Sequence, residues 1–149
     1  MLKLNADDSP GTTYRPSNVG FGYSYALPII VSGLIAKPGE ILIVENPEAH
    51  LHPYAQAQMA KFLARVSASG VQVFIESHSE TILNGLRIAV LDGVVTADDL
   101  NILYFSKSKG KDVEVENIPV QNDEYASIEH WPEGFFDQND KDLQRLFGI

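Results

Sequence analysis

Apolar positions fall into runs of two kinds along the chain, and their spacing predicts alternating helices and strands. The short runs at 40–45 and 71–75 have the length of buried strands, whereas residues 53–69 place apolar side chains every three to four positions, as in a helix with one face toward a core. Residues 25–36 are apolar almost all round, which predicts a buried helix. A third helix is expected over 79–91. This order predicts an α/β core with parallel strands and right-handed crossovers.

Turn and capping residues set the expected ends of these helices. Pro53 is suited to the first position of the second helix, and Gly70 is suited to ending it. Ser79 is a good N-cap for the third helix. We expect Ser24 to cap the first helix, since Pro28 would then lie in the first turn, where backbone N–H groups have no partner within the helix.

The C-terminal part of the chain predicts a β-hairpin followed by a short helix. Apolar stretches at 102–106 and 113–118 flank the polar run Lys-Ser-Lys-Gly-Lys, and the final helix is expected near 139–147. Three aromatic residues precede that helix, and we expect them to form local core, the alternative being an exposed anchor for a partner: Trp131, Phe135 and Phe136.

Composition bounds the class of protein without deciding its function. The chain has 149 residues, 44% of them apolar, which suits one domain with a sizeable core. No apolar run is long enough to cross a membrane, no signal peptide is indicated, and the absence of cysteine fits a cytoplasmic chain. Residues 112–149 hold ten Asp/Glu and two Lys/Arg, whereas 1–111 hold ten and nine. We expect the acidic tail to be a solvated face; the alternatives are a surface for a basic partner or mimicry of a polyanion.

Polar side chains cluster where each of the first two predicted strands ends. Because parallel neighbours end at the same edge of a sheet, these residues are expected to share the edge where α/β proteins place ligands. A carboxylate there is suited to Mg²⁺, and a histidine can donate a hydrogen bond to a phosphoryl oxygen or a water. The two groups are Glu45, Asn46, Glu48, His50 and His52 after the first strand, and Glu76, Ser77 and His78 after the second.

Two further patterns admit more than one interpretation. Glu48, His50 and His52 alternate, so they could bind Zn²⁺ with help from the second strand end, or His50 could simply be hydrogen-bonded within the fold. In the segment Asn18-Val-Gly-Phe-Gly-Tyr-Ser24, Gly20 and Gly22 precede a predicted helix. They could leave backbone N–H groups open toward an anion, or form only a tight turn.

Taken together, these segments resemble the C-terminal half of an ABC-type ATPase head, closest to the SMC/RecF/OLD-like group of bacterial AAA-type ATPases. Ile43-Val-Glu-Asn-Pro-Glu-Ala-His-Leu-His-Pro53 resembles the Walker B strand and D-loop of that group, and Glu76-Ser-His-Ser79 resembles the end of its switch strand. Residues 18–24 resemble its signature loop. Trp131-Pro-Glu-Gly-Phe-Phe-Asp-Gln138 resembles a C-terminal domain of unknown function found in one branch. The resemblance implies part of a three-layer P-loop NTPase fold.

The resemblance also implies roles at the two strand ends. Glu45 falls where the family holds Mg²⁺, and His78 falls where a switch histidine senses the γ-phosphate. Asn46 falls where the catalytic glutamate usually sits, although an amide can orient water but cannot accept its proton. Glu48 is the nearest replacement base; its alternative role is a turn carboxylate that caps the helix beginning near Pro53.

Other positions are implied to act across a subunit interface. His52 falls at the D-loop aspartate that contacts the opposing subunit. Gly20 and Gly22, with Asn18 and Ser24, fall in the signature that contacts the γ-phosphate of nucleotide bound to another protomer. The resemblance thus implies a homodimer or a complex, and DNA as a partner only by analogy with the group.

One element of such an ATPase has no counterpart in these 149 residues, since no Gly-x-x-x-x-Gly-Lys-Ser/Thr sequence occurs. Gly110-Lys111 lies in the predicted hairpin turn and has Phe105 where the first glycine should be. We therefore expect residues 1–111 to be the C-terminal half of an ATPase domain and 112–149 an acidic extension. ATP and Mg²⁺ would bind only with a P-loop from N-terminal sequence or a partner. The chain alone is expected to be inactive and to expose apolar surface. The alternative is a non-catalytic interaction module that keeps the fold.

Overall fold

The structure is a computed structural model that describes residues 20–107 and 112–148, and the chain divides into two compact units, residues 1–86 and 87–149. None of the helices in those described ranges is long and apolar enough to cross a membrane. The elements are α1 (Phe21–Ile35), β1 (Ile41–Glu45), α2 (Pro53–Ala68), β2 (Gln72–Glu76), α3 (Glu80–Leu91), β3 (Asn101–Lys107), β4 (Val113–Pro119) and α4 (Gln138–Phe147).

The first unit contains a parallel pair of strands, which confirms a mixed α/β fold with parallel strands. β1 and β2 pair in register from Ile41 with Gln72 to Glu45 with Glu76. Residues 71–75 were expected to form the second strand, and the observed strand lies one residue later. The register brings the last residues of both strands to the same edge of the sheet. The polar residues that follow the two strands were expected to share that edge.

The core of this unit lies on one face of the sheet. Val44 packs there with residues of all three helices, because side chains alternate along a strand and every second residue points the same way. On the other face Ile41, Ile43 and Phe74 are 61%, 71% and 50% exposed. Apolar surface is therefore exposed, as expected, and among the described residues the helices form one layer on the sheet. The buried members of the core are Val44, Met59, Ala60, Leu63 and Ile82.

The first helix differs from its sequence-based expectation in two ways. It begins at Phe21 with Gly20 as N-cap, so the expected cap at Ser24 is wrong and Pro28 lies inside the helix. A proline there cannot donate to the carbonyl four residues earlier, which weakens that turn. The expectation of a buried helix is also wrong, since Leu34 and Ile35 are 71% and 70% exposed. The helix α1 is apolar on all sides, but the described part of the chain leaves part of its apolar surface exposed to solvent.

The starts of the next two helices follow local rules. Pro53 is the first residue of α2, as expected, and the preceding His52 is its N-cap, with Nδ1 accepting from the Tyr54 N–H at 3.4 Å. Ser79 caps α3 as expected, because its Oγ accepts from the Ile82 N–H at 3.3 Å. The alternative role of Glu48 as the cap of α2 is wrong, since His52 occupies that position.

The second unit contains the predicted hairpin. β3 and β4 pair antiparallel, with Phe105 opposite Val115, and the turn at 108–111 lies outside the described residues. The two strands lie on either side of the predicted boundary at 111/112. Phe135 is buried, as expected of local core, and its ring centroid lies 5.3 Å from that of Trp131 and 4.7 Å from that of Phe136. Trp131 remains 39% exposed at the edge of this aromatic group.

Candidate functional site

Two carboxylates meet at the edge where β1 and β2 end. Glu45 and Glu76 are register partners, and both are exposed on the face of the sheet opposite the core. Adjacent parallel strands lie about 4.8 Å apart, so the two glutamates are neighbours on one face of the sheet. The Asn46 N–H donates to the Glu76 carbonyl oxygen at 2.8 Å, and Asn46 then turns the chain with a φ of 47°. The strand pair thus ends at a polar edge, as the sequence predicted.

The Glu48 carboxylate joins the turn after β1 to the turn after β2. One oxygen, Oε2, accepts from the Ser77 hydroxyl at 2.8 Å, and the other, Oε1, accepts from the His78 backbone N–H at 2.8 Å. These partners are 29 and 30 residues away in sequence. The sequence placed all three residues at one edge, and the structure adds a direct hydrogen-bonded contact between them.

A chain of further hydrogen bonds extends from this contact. The Ser77 hydroxyl accepts from the Ser79 N–H at 3.1 Å, and the Ser79 hydroxyl donates to Gln56 Oε1 at 2.7 Å. Gln56 Nε2 in turn donates to the Leu51 carbonyl oxygen at 2.9 Å. The network therefore connects both turns to the first turns of α2 and α3. Its members Glu48, Ser77, Ser79 and Gln56 are all partly buried.

The start of α1 packs against the turn after β1. The His50 ring lies beside the rings of Phe21 and Tyr25, with centroid separations of 5.5 and 4.7 Å. A Cβ atom at Gly22 would lie 3.0 Å from the His50 carbonyl oxygen and 3.3 Å from a Leu51 methyl group. Gly22 therefore lies within α1 as a point of close approach to this turn, a contact that the sequence did not predict.

The histidines of this turn do not form a zinc site. His50 lies against aromatic rings, and His52 accepts from a backbone N–H through Nδ1. In residues 20–107 and 112–148 no three His, Asp or Glu side chains are grouped so that they could hold a metal ion. The zinc alternative is therefore wrong.

The edge where β1 and β2 end could supply only part of the ligands of a Mg²⁺ ion. Glu45 and Glu76 are exposed register partners on neighbouring strands, and carboxylate oxygens suit a hard cation. Mg²⁺ is usually held by one or two carboxylates and completes its six ligands with water and phosphate oxygens. The protein residues at this edge match that partial set.

Sequence reasoning placed the two strand ends at one edge and missed one residue of the hydrogen-bonded network. Asn18 falls outside the described residues, whereas Gly20 is the N-cap of α1 and Ser24 lies in its first turns. The exposed His78 lies at the expected edge. Gln56 was missed, because a single polar residue near the start of an amphipathic helix usually faces solvent. Its role becomes visible only through its partner Ser79, which lies between β2 and α3.

Two family matches cover most of the chain. Residues 10–83 match the family described as AAA ATPase domain, and residues 95–146 match a family described as protein of unknown function (DUF3696). Over residues 10–83 the chain is therefore similar to the AAA ATPase domain family, and we call these residues the ATPase segment. This ATPase segment includes α1, β1, α2 and β2, and with them every residue of the hydrogen-bonded network. The resemblance to an AAA-type ATPase followed by a C-terminal domain of unknown function is confirmed. No curated protein and no solved structure shows significant similarity to the chain.

Proposed function

We propose that the ATPase segment is the C-terminal half of an ABC-type ATPase domain and forms its nucleotide-responsive edge. One observation carries this proposal: the Glu48 carboxylate holds the His78 backbone at 2.8 Å, beside the strand ends that carry Glu45 and Glu76. A carboxylate suits Mg²⁺, which neutralises charge on the phosphates, and a histidine can donate a hydrogen bond to a γ-phosphate oxygen. The AAA family match supports the same assignment.

Glu45 is the proposed Mg²⁺ ligand, with Glu76 as its neighbour. Glu45 would hold the ion, which would supply positive charge to offset that of the transferred phosphoryl group. A cation would also relieve the repulsion between the two glutamates, which are register partners. His78 is exposed at the same edge and is the proposed donor to the γ-phosphate.

Asn46 is the residue that limits turnover in this proposal. Its backbone N–H is bonded to Glu76, while its side chain is exposed at the edge. A side-chain amide orients an attacking water without accepting its proton, so hydrolysis is expected to be slow relative to an enzyme with a carboxylate there.

The residues proposed to act across a dimer lie near the start of α1 and the start of α2. Gly20 is exposed at the N-terminus of α1, where backbone N–H groups have no helical partner and the helix dipole favours an anion. His52 is exposed at the N-terminus of α2. We propose that both face a second protomer, as the signature and D-loop positions would.

The phosphates need a P-loop, and we propose that sequence outside these 149 residues supplies it. Isothermal titration calorimetry of this chain with MgATP is expected to give no tight binding, and tight binding would contradict the proposal. A polypeptide that carries the P-loop segment of the same ATPase should restore hydrolysis. Glu45→Gln should then abolish it, whereas Glu114→Gln, on β4, should leave it unchanged.

A non-catalytic interaction module is the second candidate function. Two observations favour it: Asn46 stands in place of a catalytic carboxylate, and the outer face of the sheet exposes Ile41, Ile43 and Phe74. In that case the reconstituted pair would not hydrolyse ATP. Asn46→Glu separates the two candidates, since it should raise hydrolysis in an ATPase and change nothing in an interaction module.

A further inference from the structure

Both oxygens of the Glu48 carboxylate accept a hydrogen bond, although the residue is only partly buried. Each of its oxygens accepts one strong hydrogen bond, from the Ser77 hydroxyl and from the His78 N–H, both at 2.8 Å. Hydrogen bonds to an ionised acceptor are stronger than neutral ones, and two of them on one planar group fix orientation as well as distance. In this geometry both carboxylate oxygens hold the loop that follows β2.

We propose that Glu48 is a positioning residue that fixes the direction of the His78 side chain. The bond to the His78 N–H holds the backbone of that residue, and the bond to Ser77 holds the residue before it. Because these two bonds hold the backbone of Ser77 and His78, they also fix the point from which the exposed imidazole leaves the chain. This role rests on the proposed function of His78 and makes Glu48 neither a proton acceptor nor a helix cap.

The surrounding network supports a positioning role because it leaves the loop little freedom. The Ser77 hydroxyl donates to Glu48 and accepts from the Ser79 N–H, so its hydrogen-bonding capacity is used on both sides. Ser79 is tied to Gln56 at 2.7 Å. The residues before and after His78 are therefore both anchored, and the exposed imidazole between them is the group left to face a ligand.

Amide hydrogen exchange of the full chain, followed residue by residue by NMR, tests the contact without nucleotide. Glu48→Ala should speed exchange of the His78 amide by about tenfold or more, since a charge-assisted bond is lost. The core amides of Leu63 and Ala64, inside α2, should change less than about twofold. Glu48→Gln can still accept from His78 and donate to Ser77, so it should stay within about threefold of the wild type.

Two outcomes of this measurement would overturn the proposal. One is an unchanged His78 amide in Glu48→Ala. The other is equal acceleration at His78, Leu63 and Ala64, which would mean that Glu48 only stabilises the fold. If Glu48→Ala does not fold, Glu48→Asp replaces it, because a side chain one methylene shorter cannot reach both partners and the same pattern is expected.

Hydrolysis by the chain together with the P-loop polypeptide separates positioning from base catalysis. In a positioning role Glu48→Gln keeps kcat within about threefold and keeps the shape of the pH–rate profile, whereas Glu48→Ala lowers kcat by about tenfold or more. A base role requires Glu48→Gln to be as inactive as Glu48→Ala, and that result would overturn the proposal. If the wild-type pair does not hydrolyse ATP, the proposed function fails, and the exchange measurement still decides whether Glu48 holds His78.

Discussion

The position that a Cβ atom would take at Gly22 lies 3.0 Å from the carbonyl oxygen of His50. This close approach seats the start of α1 on the turn that follows β1. Packing therefore favours glycine at position 22, in addition to any role of this residue in nucleotide binding.

Gly22→Ala is therefore expected to destabilise the protein by about 1–3 kcal/mol, since the obstructing atom is backbone and cannot rotate away. Urea unfolding measures this free-energy change. Gly20→Ala is the matched control: among the described residues no atom lies within 4 Å of its added Cβ. It should cost less than about 1 kcal/mol, as expected for alanine at an N-cap. Equal losses in both variants would show that close approach is not the cause.

The contact of α2 with α3 depends on a second glycine. A Cβ at Gly85 would lie 2.6 Å from the Ala60 Cβ, so Gly85→Ala should cost about 1–3 kcal/mol in the free energy of unfolding. Adding Ala60→Gly should recover part of that loss, because it removes the obstructing methyl group. A double-mutant cycle by urea unfolding checks this, and strictly additive losses would contradict the contact.

The carboxylates of Glu45 and Glu76 are expected to repel each other when no cation is bound. Glu76→Gln should then raise the free energy of unfolding by about 0.2–1 kcal/mol in low salt without Mg²⁺, with a smaller gain at high salt. Thermal or urea unfolding at two ionic strengths measures the effect. Glu114→Gln makes the same charge change opposite Ser106, and it should have little effect. A similar gain in both variants would assign the effect to net charge.

Hydrogen bonding lowers the pKa of Asp123 below its ordinary 3.8, chiefly through the short hydrogen bond from the Ser127 hydroxyl and also through the Ser127 N–H. A carboxyl group with a lowered folded-state pKa contributes stability that is complete above the unfolded value and is lost as the pH falls through the folded one. Ser127→Ala should therefore move the pKa of Asp123 up toward 3.8. Carbon-13 NMR titration measures the shift.

Asp99 provides the reference in the same titration. Its pKa is lowered mainly by the Thr96 N–H and hydroxyl, which Ser127→Ala leaves in place. The pKa of Asp99 should therefore stay constant. An unchanged Asp123, or equal shifts at both residues, would contradict the assigned cause.

The exposed outer face of the β1–β2 sheet is expected to drive self-association of the isolated chain. Ile43 and Phe74 are 71% and 50% exposed on adjacent strands, and exposed apolar surface with an open strand edge favours association. Ile43→Lys should lower the mass measured by light scattering at high protein concentration and leave the folded far-UV spectrum unchanged. Leu103→Lys, on β3, is the control and should have a smaller effect. A wild-type chain that stays monomeric would contradict the prediction.

The sequence by itself determined the elements whose causes are local. The strand pair, the start of α2 at Pro53 and the cap of α3 at Ser79 follow from apolar spacing and from side chains that satisfy nearby N–H groups. The shared edge of Glu45 and Glu76 also followed, because parallel neighbours end together.

Tertiary structure decided what depends on residues far apart in sequence. The bond between Glu48 and His78 spans 30 residues, and the approach of Gly22 to His50 requires α1 to lie on a turn that local sequence does not reach. The start of α1 at Phe21 and the exposure of its apolar surface were likewise decided by tertiary structure. The spacing of apolar residues predicts whether a segment forms a helix or a strand. Its burial and its hydrogen bonds depend on which other segments pack against it.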